Sequence, residues 1–382
     1  MSTLRRLWLL CLVVGVSFPS YARGQEAEAG FRTQVYRMSE PDSVWLSDVR
    51  LLSSDVAGVV PLTPWLAASV RAGYARAEVI LPNGASSSVS GFTDGIVRLT
   101  AVRGRFSVDA SAIVPTGKVV QSAEEAAVVG VLSSDLMPFA LGQWGSGGGG
   151  AIDVTYVRRL SWATLSLSAG HAERFGSHPL GTSDFTFRPG GQSRLRASLE
   201  APVGEAGIVN AMLGVQRFSS DEYAGGDVFS PGLRMEGHVS YAFALGLRES
   251  ALVFAGVHAL GAGTAEGVPG QEDIATYFPG AVEQPSRSVW VLGAQARIGR
   301  TRVAWMPTGA VQLVRSSSGR SQSWITSLGG SAEYRILGHV NGRRLVAEPG
   351  AMVRLGRLVA EDPVASPIVG WELGLTLRWV GP

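Results

Sequence analysis

Val369-Gly370-Trp371-Glu372-Leu373-Gly374-Leu375-Thr376-Leu377-Arg378-Trp379, close to the C-terminus of a 382-residue chain, alternates apolar with small or charged residues without a break. A strand turns successive side chains to opposite faces, so the Val, Leu and Trp residues share one face and the Gly, Glu, Thr and Arg residues the other. In a soluble sandwich the apolar face would meet a core. In a bilayer it would meet lipid, with the polar face toward water. How often the pattern recurs decides between the two.

It recurs along most of the chain. Phe106, Val108, Ala110 and Ala112 interleave with Arg105, Ser107, Asp109 and Ser111, and Leu165, Leu167 and Ala169 with Thr164, Ser166 and Ser168. Leu195, Ala197, Leu199 and Ala201 stand against Arg194, Arg196, Ser198 and Glu200, while Leu233, Met235, Val239, Tyr241 and Phe243 stand against Arg234, Glu236, His238 and Ser240. Each run is about 9–11 residues, the length a tilted strand needs to cross a bilayer.

Fourteen strands are predicted, over 66–80, 93–102, 105–114, 150–159, 162–171, 192–201, 207–217, 232–243, 250–260, 288–298, 302–314, 322–336, 344–356 and 368–380. The range stays open from roughly 12 to 16, because 44–52 reads as a further strand and 250–260 alternates poorly. Long connectors, the longest 115–149, alternate with short ones such as Arg103-Gly104 and Leu160-Ser161. Short periplasmic turns, long external loops and an even strand count are the topology of an outer-membrane barrel. The fold class is therefore all-β, a transmembrane antiparallel up-and-down β-barrel of about 14 strands.

Composition agrees. Charged residues make up 17% of the chain, below the roughly 25% of ordinary soluble domains, while mean hydropathy is only +0.18. Net charge is +2 with no basic face, so no nucleic-acid partner is expected. At the N-terminus Arg5 and Arg6 precede the apolar run 7–18, and Ser20-Tyr21-Ala22 supplies the small residues a signal peptidase reads. Residues 1–22 are predicted to be a signal peptide cleaved after Ala22, with 65–382 forming a barrel in the bacterial outer membrane. Cys11, the single cysteine, lies in that signal, so the mature chain has no thiol or disulfide. No metal or cofactor is expected. The partners expected are outer-membrane lipid and lipopolysaccharide, the barrel-assembly machinery, and a small hydrophobic or anionic solute. Trp290, Trp324 and Trp371 at one end of the lipid face, and Tyr156, Tyr241, Phe243, Tyr334 and Trp379 at the other, suit two interfacial girdles.

One set of short motifs carries a family resemblance. Gly91-Phe92-Thr93-Asp94-Gly95, the strand end Pro115-Thr116-Gly117-Lys118, and Gly145-Ser146-Gly147 leading into Ala151-Ile152-Asp153-Val154 resemble the outer-membrane transporters of the phenol-degradation MetA pathway, themselves similar to FadL-type carriers. The resemblance implies a barrel passing small hydrophobic or aromatic compounds, with Gly91, Thr93, Asp94, Pro115, Thr116 and Gly117 as the family-like motif. It also implies that the segment before the first strand, 23–64 here, is periplasmic and plugs the lumen.

The alternation points Arg71, Arg98, Arg194, Arg196, Arg234, Arg297, Arg335, Arg354 and Arg378 inward, together with Asp109, Asp153, Glu200, Glu236, Glu333 and Glu372. Arginine's planar fork suits carboxylates and phosphates. The competing reading is a structural charge ladder, for instance Arg194 or Arg196 with Glu200 and Arg234 with Glu236. The 115–149 connector carries Val128, Val131, Leu132, Leu136, Met137 and Phe139, a pattern for a short helix whose apolar face folds over the barrel mouth, either gathering hydrophobic solute or packing as a lid.

His238 and Ser240 form the minimal pair for nucleophilic catalysis on one strand face, without a recognisable orienting acid. The chain is accordingly expected not to be an enzyme. The expected function is passive uptake of small hydrophobic, aromatic or amphipathic acid compounds; the alternatives are a general or anion-preferring diffusion porin and a non-conducting surface barrel.

Overall fold

The computed structural model describes residues 26–43, 46–119, 122–133, 137–141, 144–145, 147–178, 186–223, 225–246, 248–265, 282–284, 286–299, 302–316, 322–340, 343–361 and 364–380. The predicted signal peptide, 1–22, lies outside them.

In chain order the strands begin with β1 (Glu26–Met38), β2 (Asp48–Thr63), β3 (Leu66–Ile80), β4 (Ser86–Phe92), β5 (Gly95–Arg103) and β6 (Phe106–Val114), followed by the helix α1 (Ala123–Ser133). Next come β7 (Gly149–Arg159), β8 (Thr164–Arg174), β9 (Phe187–Arg188), β10 (Gln192–Val203), β11 (Gly207–Phe218), β12 (Asp221–Tyr223), β13 (Gly226–Ser230), β14 (Arg234–Ala244) and β15 (Ser250–Leu260). The last are β16 (Gly263–Ala265), β17 (Val282–Gln284), β18 (Arg287–Gly299), β19 (Val303–Ser316), β20 (Gln322–Val340), β21 (Arg343–Glu361) and β22 (Val364–Val380).

The main sheet has 17 strands and closes on itself, because β22 pairs with β1 from Ala27 opposite Trp379 to Met38 opposite Ile368. β3 pairs with β4 along 74–80 and with β5 along 66–71, so β4 and β5 share one place in the ring. The wall is thus an antiparallel barrel of 16 places. Short turns join strands at one end; Gly104 and Gly204 take φ of +63° and +65° there, a conformation glycine adopts without steric cost. At the other end the long connections carry a second, five-stranded sheet in the order β17-β16-β13-β12-β9.

Two expectations are corrected. The wall has 16 places rather than 14, and most of 23–64, expected to plug the lumen, supplies the wall strands β1 and β2. The physical reason is on their inner faces: Tyr36, Met38, Val49 and Leu51 point inward and are buried, while Arg37 and Arg50 point outward near the loop end. With apolar residues inside, the lipid-out, polar-in alternation is lost. β15 alternates poorly for the same reason, since the register turns Leu252, Phe254 and Leu260 inward while Val253 and Val257 face out.

Elsewhere the outer face is an apolar belt, with Leu195, Leu213 and Leu292 64–70% exposed. A continuous belt of this kind is unfavourable in water and favourable in lipid. Trp65, Trp162 and Trp305 join its short-turn end and Trp290, Trp324 and Trp371 its loop end, all exposed. No described helix is long and apolar enough to cross a membrane; the crossing is by strands.

Candidate functional site in the barrel lumen

The connection after β6 turns into the barrel. Ser122 caps α1: its hydroxyl accepts from Glu125 N at 3.2 Å, and its carbonyl accepts from Ala126 N at 3.0 Å. The same hydroxyl, by hydrogen bonding, holds the Glu124 carboxyl below the ordinary range. Val128 and Leu132 on α1, then Met137 and Trp144, are buried in one apolar cluster with Tyr36, Val49, Leu51, Ala77, Val89, Ile325, Leu358 and Ile368. Those wall residues all lie on the inner face by register. The loop therefore packs inside the barrel against β1–β4 and β20–β22.

Polar contacts fix it there. Gln34 Nε2 donates to Pro138 O at 3.0 Å and Gln34 Oε1 accepts from Ala140 N at 2.8 Å. Tyr36 Oη donates to Pro138 O at 3.2 Å and packs edge-on to Phe139, with ring centroids 5.0 Å apart. Trp144 Nε1 donates to Ala75 O at 3.0 Å.

The motif residues form the root of this loop. Between β4 and β5, Asp94 Oδ1 accepts from Gly117 N at 2.9 Å, and Thr116 Oγ1 accepts from Gly95 N at 2.8 Å while donating to Thr93 O at 3.0 Å. Lys118 N donates to Phe92 O and Asp94 N to Trp144 O, both at 2.9 Å. A Cβ at Gly117 would sit 2.4 Å from Trp144 O, and one at Gly91 2.6 Å from Lys118 Cβ, so the close crossing requires glycine at both. Pro115 begins the turn out of β6.

The register turns every charged residue singled out above, Arg71, Arg98, Asp109, Asp153, Arg194, Arg196, Glu200, Arg234, Glu236, Arg297, Glu333, Arg335, Arg354, Glu372 and Arg378, to the lumen side. Their partners differ from the expected ladder. Arg194 Nε donates to Asp153 at 2.6 Å and Arg196 Nε to Glu236 at 2.6 Å; neither turns to Glu200. Four residues along a strand span about 13 Å, so cross-strand neighbours are the nearer partners. Glu372 is a hub: Arg354 Nη2 reaches it at 2.5 Å, Gln34 Nε2 at 2.9 Å and Arg32 Nε at 3.2 Å. Arg378 bonds Glu348 at 2.7 Å, and Arg297 and Arg335 flank Glu333 at 3.3 and 3.7 Å. Thr100 Oγ1 donates to Asp109 at 2.5 Å, and Arg71 lies 3.5 Å from Asp55.

Beside the loop lies a lumen cavity of about 600 Å³, lined by Arg32, Arg71 and Arg174, by Glu28, Asp55, Asp94, Glu348 and Glu372, and by Ile96, Ile113, Leu141 and Trp144. It can hold a small solute bearing both a charged and an apolar part.

Among the entrance-loop candidates, Val128, Leu132 and Met137 are buried against the inner wall, and Val131 and Phe139 pack on that cluster. The expected placement over the mouth is corrected: this apolar surface is spent on fastening the loop within the lumen. Leu136 lies outside the described residues. The sequence reading missed Gln34, Tyr36, Arg32, Arg174 and Trp144. Ser122-Ala123-Glu124-Glu125, a capping-box pattern, would have located α1; nothing local foretells the pairing of Gln34 with Pro138. His238 and Ser240 share the lumen face, and the His238 ring stacks on Phe254 at 6.4 Å.

No family model matches the chain. No curated protein matches it either. Among solved structures it is similar to a bacterial polysaccharide outer membrane secretin, at 12% identity and TM-score 0.45 over 91% of this chain and 97% of that one. It is similar to outer-membrane expressed OmpT of Vibrio cholerae, at 11% identity and TM-score 0.43 over 95% and 99%. It is similar to the outer membrane channel DcaP of Acinetobacter baumannii, at 10% identity and TM-score 0.40 over 94% and 99%. The expectation that the chain is not an enzyme is withdrawn, since likenesses this distant speak to the fold alone.

Proposed function

We propose that this chain is a passive channel of the bacterial outer membrane for small amphipathic acids, narrowed from within by the loop that carries α1. The observation that carries the reading is the double hydrogen bond of Gln34 to the 138–140 backbone, which holds a structured loop inside the barrel beside a cavity lined by three arginines, five carboxylates and apolar side chains. Barrels of about 16 strands are wide enough for an aqueous passage. An internal loop reduces that passage to the size of a small molecule. Guanidinium groups favour carboxylates, a solute's carboxylate here competing with Glu372 for Arg32 and with Asp55 for Arg71, and Ile96, Ile113, Leu141 and Trp144 offer contact to a hydrocarbon or aromatic part. The likeness of the loop-root motif to MetA-pathway and FadL-type transporters supports a solute with a hydrophobic or aromatic part.

A second reading, an anion-preferring diffusion porin without a particular solute, is favoured by the cross-strand pairing of most lumen charges. Single-channel recording of the refolded mature protein under a salt gradient tests both. Open steps with anion preference and saturating benzoate flux support the proposal; anion preference with flux linear in benzoate supports the plain porin. A folded barrel that stays electrically silent and passes no benzoate overturns both.

A further inference from the structure

A second cavity, of about 380 Å³, lies at the loop end of the barrel and shares Arg174 with the first. Its floor is the rim of the wall: Arg174 at the end of β8, Phe218 at the end of β11, and Arg234 and Arg287 at the starts of β14 and β18. The register joins the last two into one inner row through Leu260. Its roof is the small sheet of the long connections, which contributes Asp221 from β12 and Phe229 from β13. The space therefore lies between two sheets.

Among the described residues this lining holds three arginines and one carboxylate. The carboxylate is engaged: Asp221 Oδ1 accepts from Gly190 N at 2.7 Å. The Arg234 guanidinium lies over the Phe218 ring, 5.4 Å from its centroid. A carboxylate is the acceptor that a guanidinium fork fits best, and two phenylalanine rings offer an aromatic group edge or face contacts. The volume falls in the range of small-molecule sites.

We infer that this roofed cavity is an entry site for small aromatic carboxylates, its arginines taking the carboxylate and Phe218 and Phe229 the ring. The site deepens the channel reading, from which it takes the solute class: it lies at the loop end of the same lumen and would load solute before the narrower passage. Its position inside the rim, beneath a sheet, keeps it from the lipid surface, so its occupant is a free solute.

Equilibrium dialysis of labelled benzoate against the detergent-folded full barrel tests the inference, with potassium chloride conductance recorded on the same preparation. Saturable binding at one site is expected, weakened about tenfold by Arg234→Gln and by Phe229→Ala, with acetate and inorganic phosphate competing poorly. Phe229 belongs to the roof, outside the barrel wall, so its variant reports on the site even where Arg234→Gln fails to fold. Absence of saturable binding, or binding that both variants leave unchanged, overturns the inference. Equal competition by phosphate also overturns it, by reducing the site to a general anion site. A conducting barrel that binds no benzoate removes the entry site alone, whereas a silent barrel that binds benzoate removes the channel and leaves the site.

Discussion

Gln34 and Pro138, 104 residues apart in the chain, are joined by a 3.0 Å hydrogen bond from the Gln34 side-chain amide to the Pro138 carbonyl. The same side chain accepts from Ala140 N and donates to Glu372, so one residue of β1 couples the inward loop to the charge network of the wall. Gln34 is almost fully buried. A short polar side chain thus sets where the loop rests in the lumen.

Replacing Gln34 by Ala removes both loop contacts and strands the Ala140 amide. The loop loses about 1–3 kcal/mol of docking free energy, while the wall, held by its ladders, stays closed. Single-channel recording should show larger and noisier open steps than the parent protein; unchanged steps would mean that Gln34 does not hold the constriction.

Glu372→Gln leaves Arg354, whose side chain is 8% exposed, without its carboxylate. Breaking a buried pair from one side costs about 3 kcal/mol. The urea midpoint of the lipid-refolded barrel should fall, and Arg354→Met combined with Glu372→Gln should recover part of the loss, because the stranded charge is then gone.

Val128→Asp places a carboxylate in the cluster formed with Leu51, Val89 and Trp144, which offers no counter-charge to it in the described contacts. Desolvation then opposes docking of α1. Limited proteolysis should cut within 119–148 at protease concentrations that spare the parent protein, with the barrel fragment still heat-modifiable on gels.

Burial pushes the Asp221 carboxyl above its ordinary value, against the opposing effect of the Gly190 N–H bond. A carboxyl whose folded pKa is raised favours the protonated folded form. Its contribution to the small sheet is therefore fully present below the unfolded pKa and is lost as pH rises through the folded value. Amide protection at Glu222 and Tyr223, corrected for intrinsic exchange, should decline from pH 3 to pH 7, a range set by the usual carboxyl titration near about 4 and its upward shift. In Asp221→Asn the decline should vanish.

Arg196→Gln leaves Glu236 without the guanidinium 2.6 Å away and removes one positive charge from the lumen wall. The reversal potential under a salt gradient should move toward cation preference. No shift would place Arg196 outside the ion path.

Much of the barrel was legible because most wall residues from β5 to β22, β15 excepted, answer to a nearby rule: outward toward lipid, inward toward water or a paired charge. β10 shows this, with Leu195 outward and Arg194 and Arg196 inward. β1 and β2 escaped that rule because what meets their inner faces is Val128, Leu132 and Trp144, from a segment some 90 residues further on. An apolar inner face looks like noise until its partner is known.

The sequence by itself determined that the chain is a membrane barrel and which face of each alternating strand is which, since a period of two and the lengths of turns are local properties. It determined the inward charges without their partners. Only the tertiary structure decided that Arg194 meets Asp153, that Thr93-Asp94 meets Thr116-Gly117, that α1 and Trp144 pack on the inner wall, and that Arg234 lies over the Phe218 ring. Those contacts depend on register and ring closure, which bring together residues that no local periodicity relates.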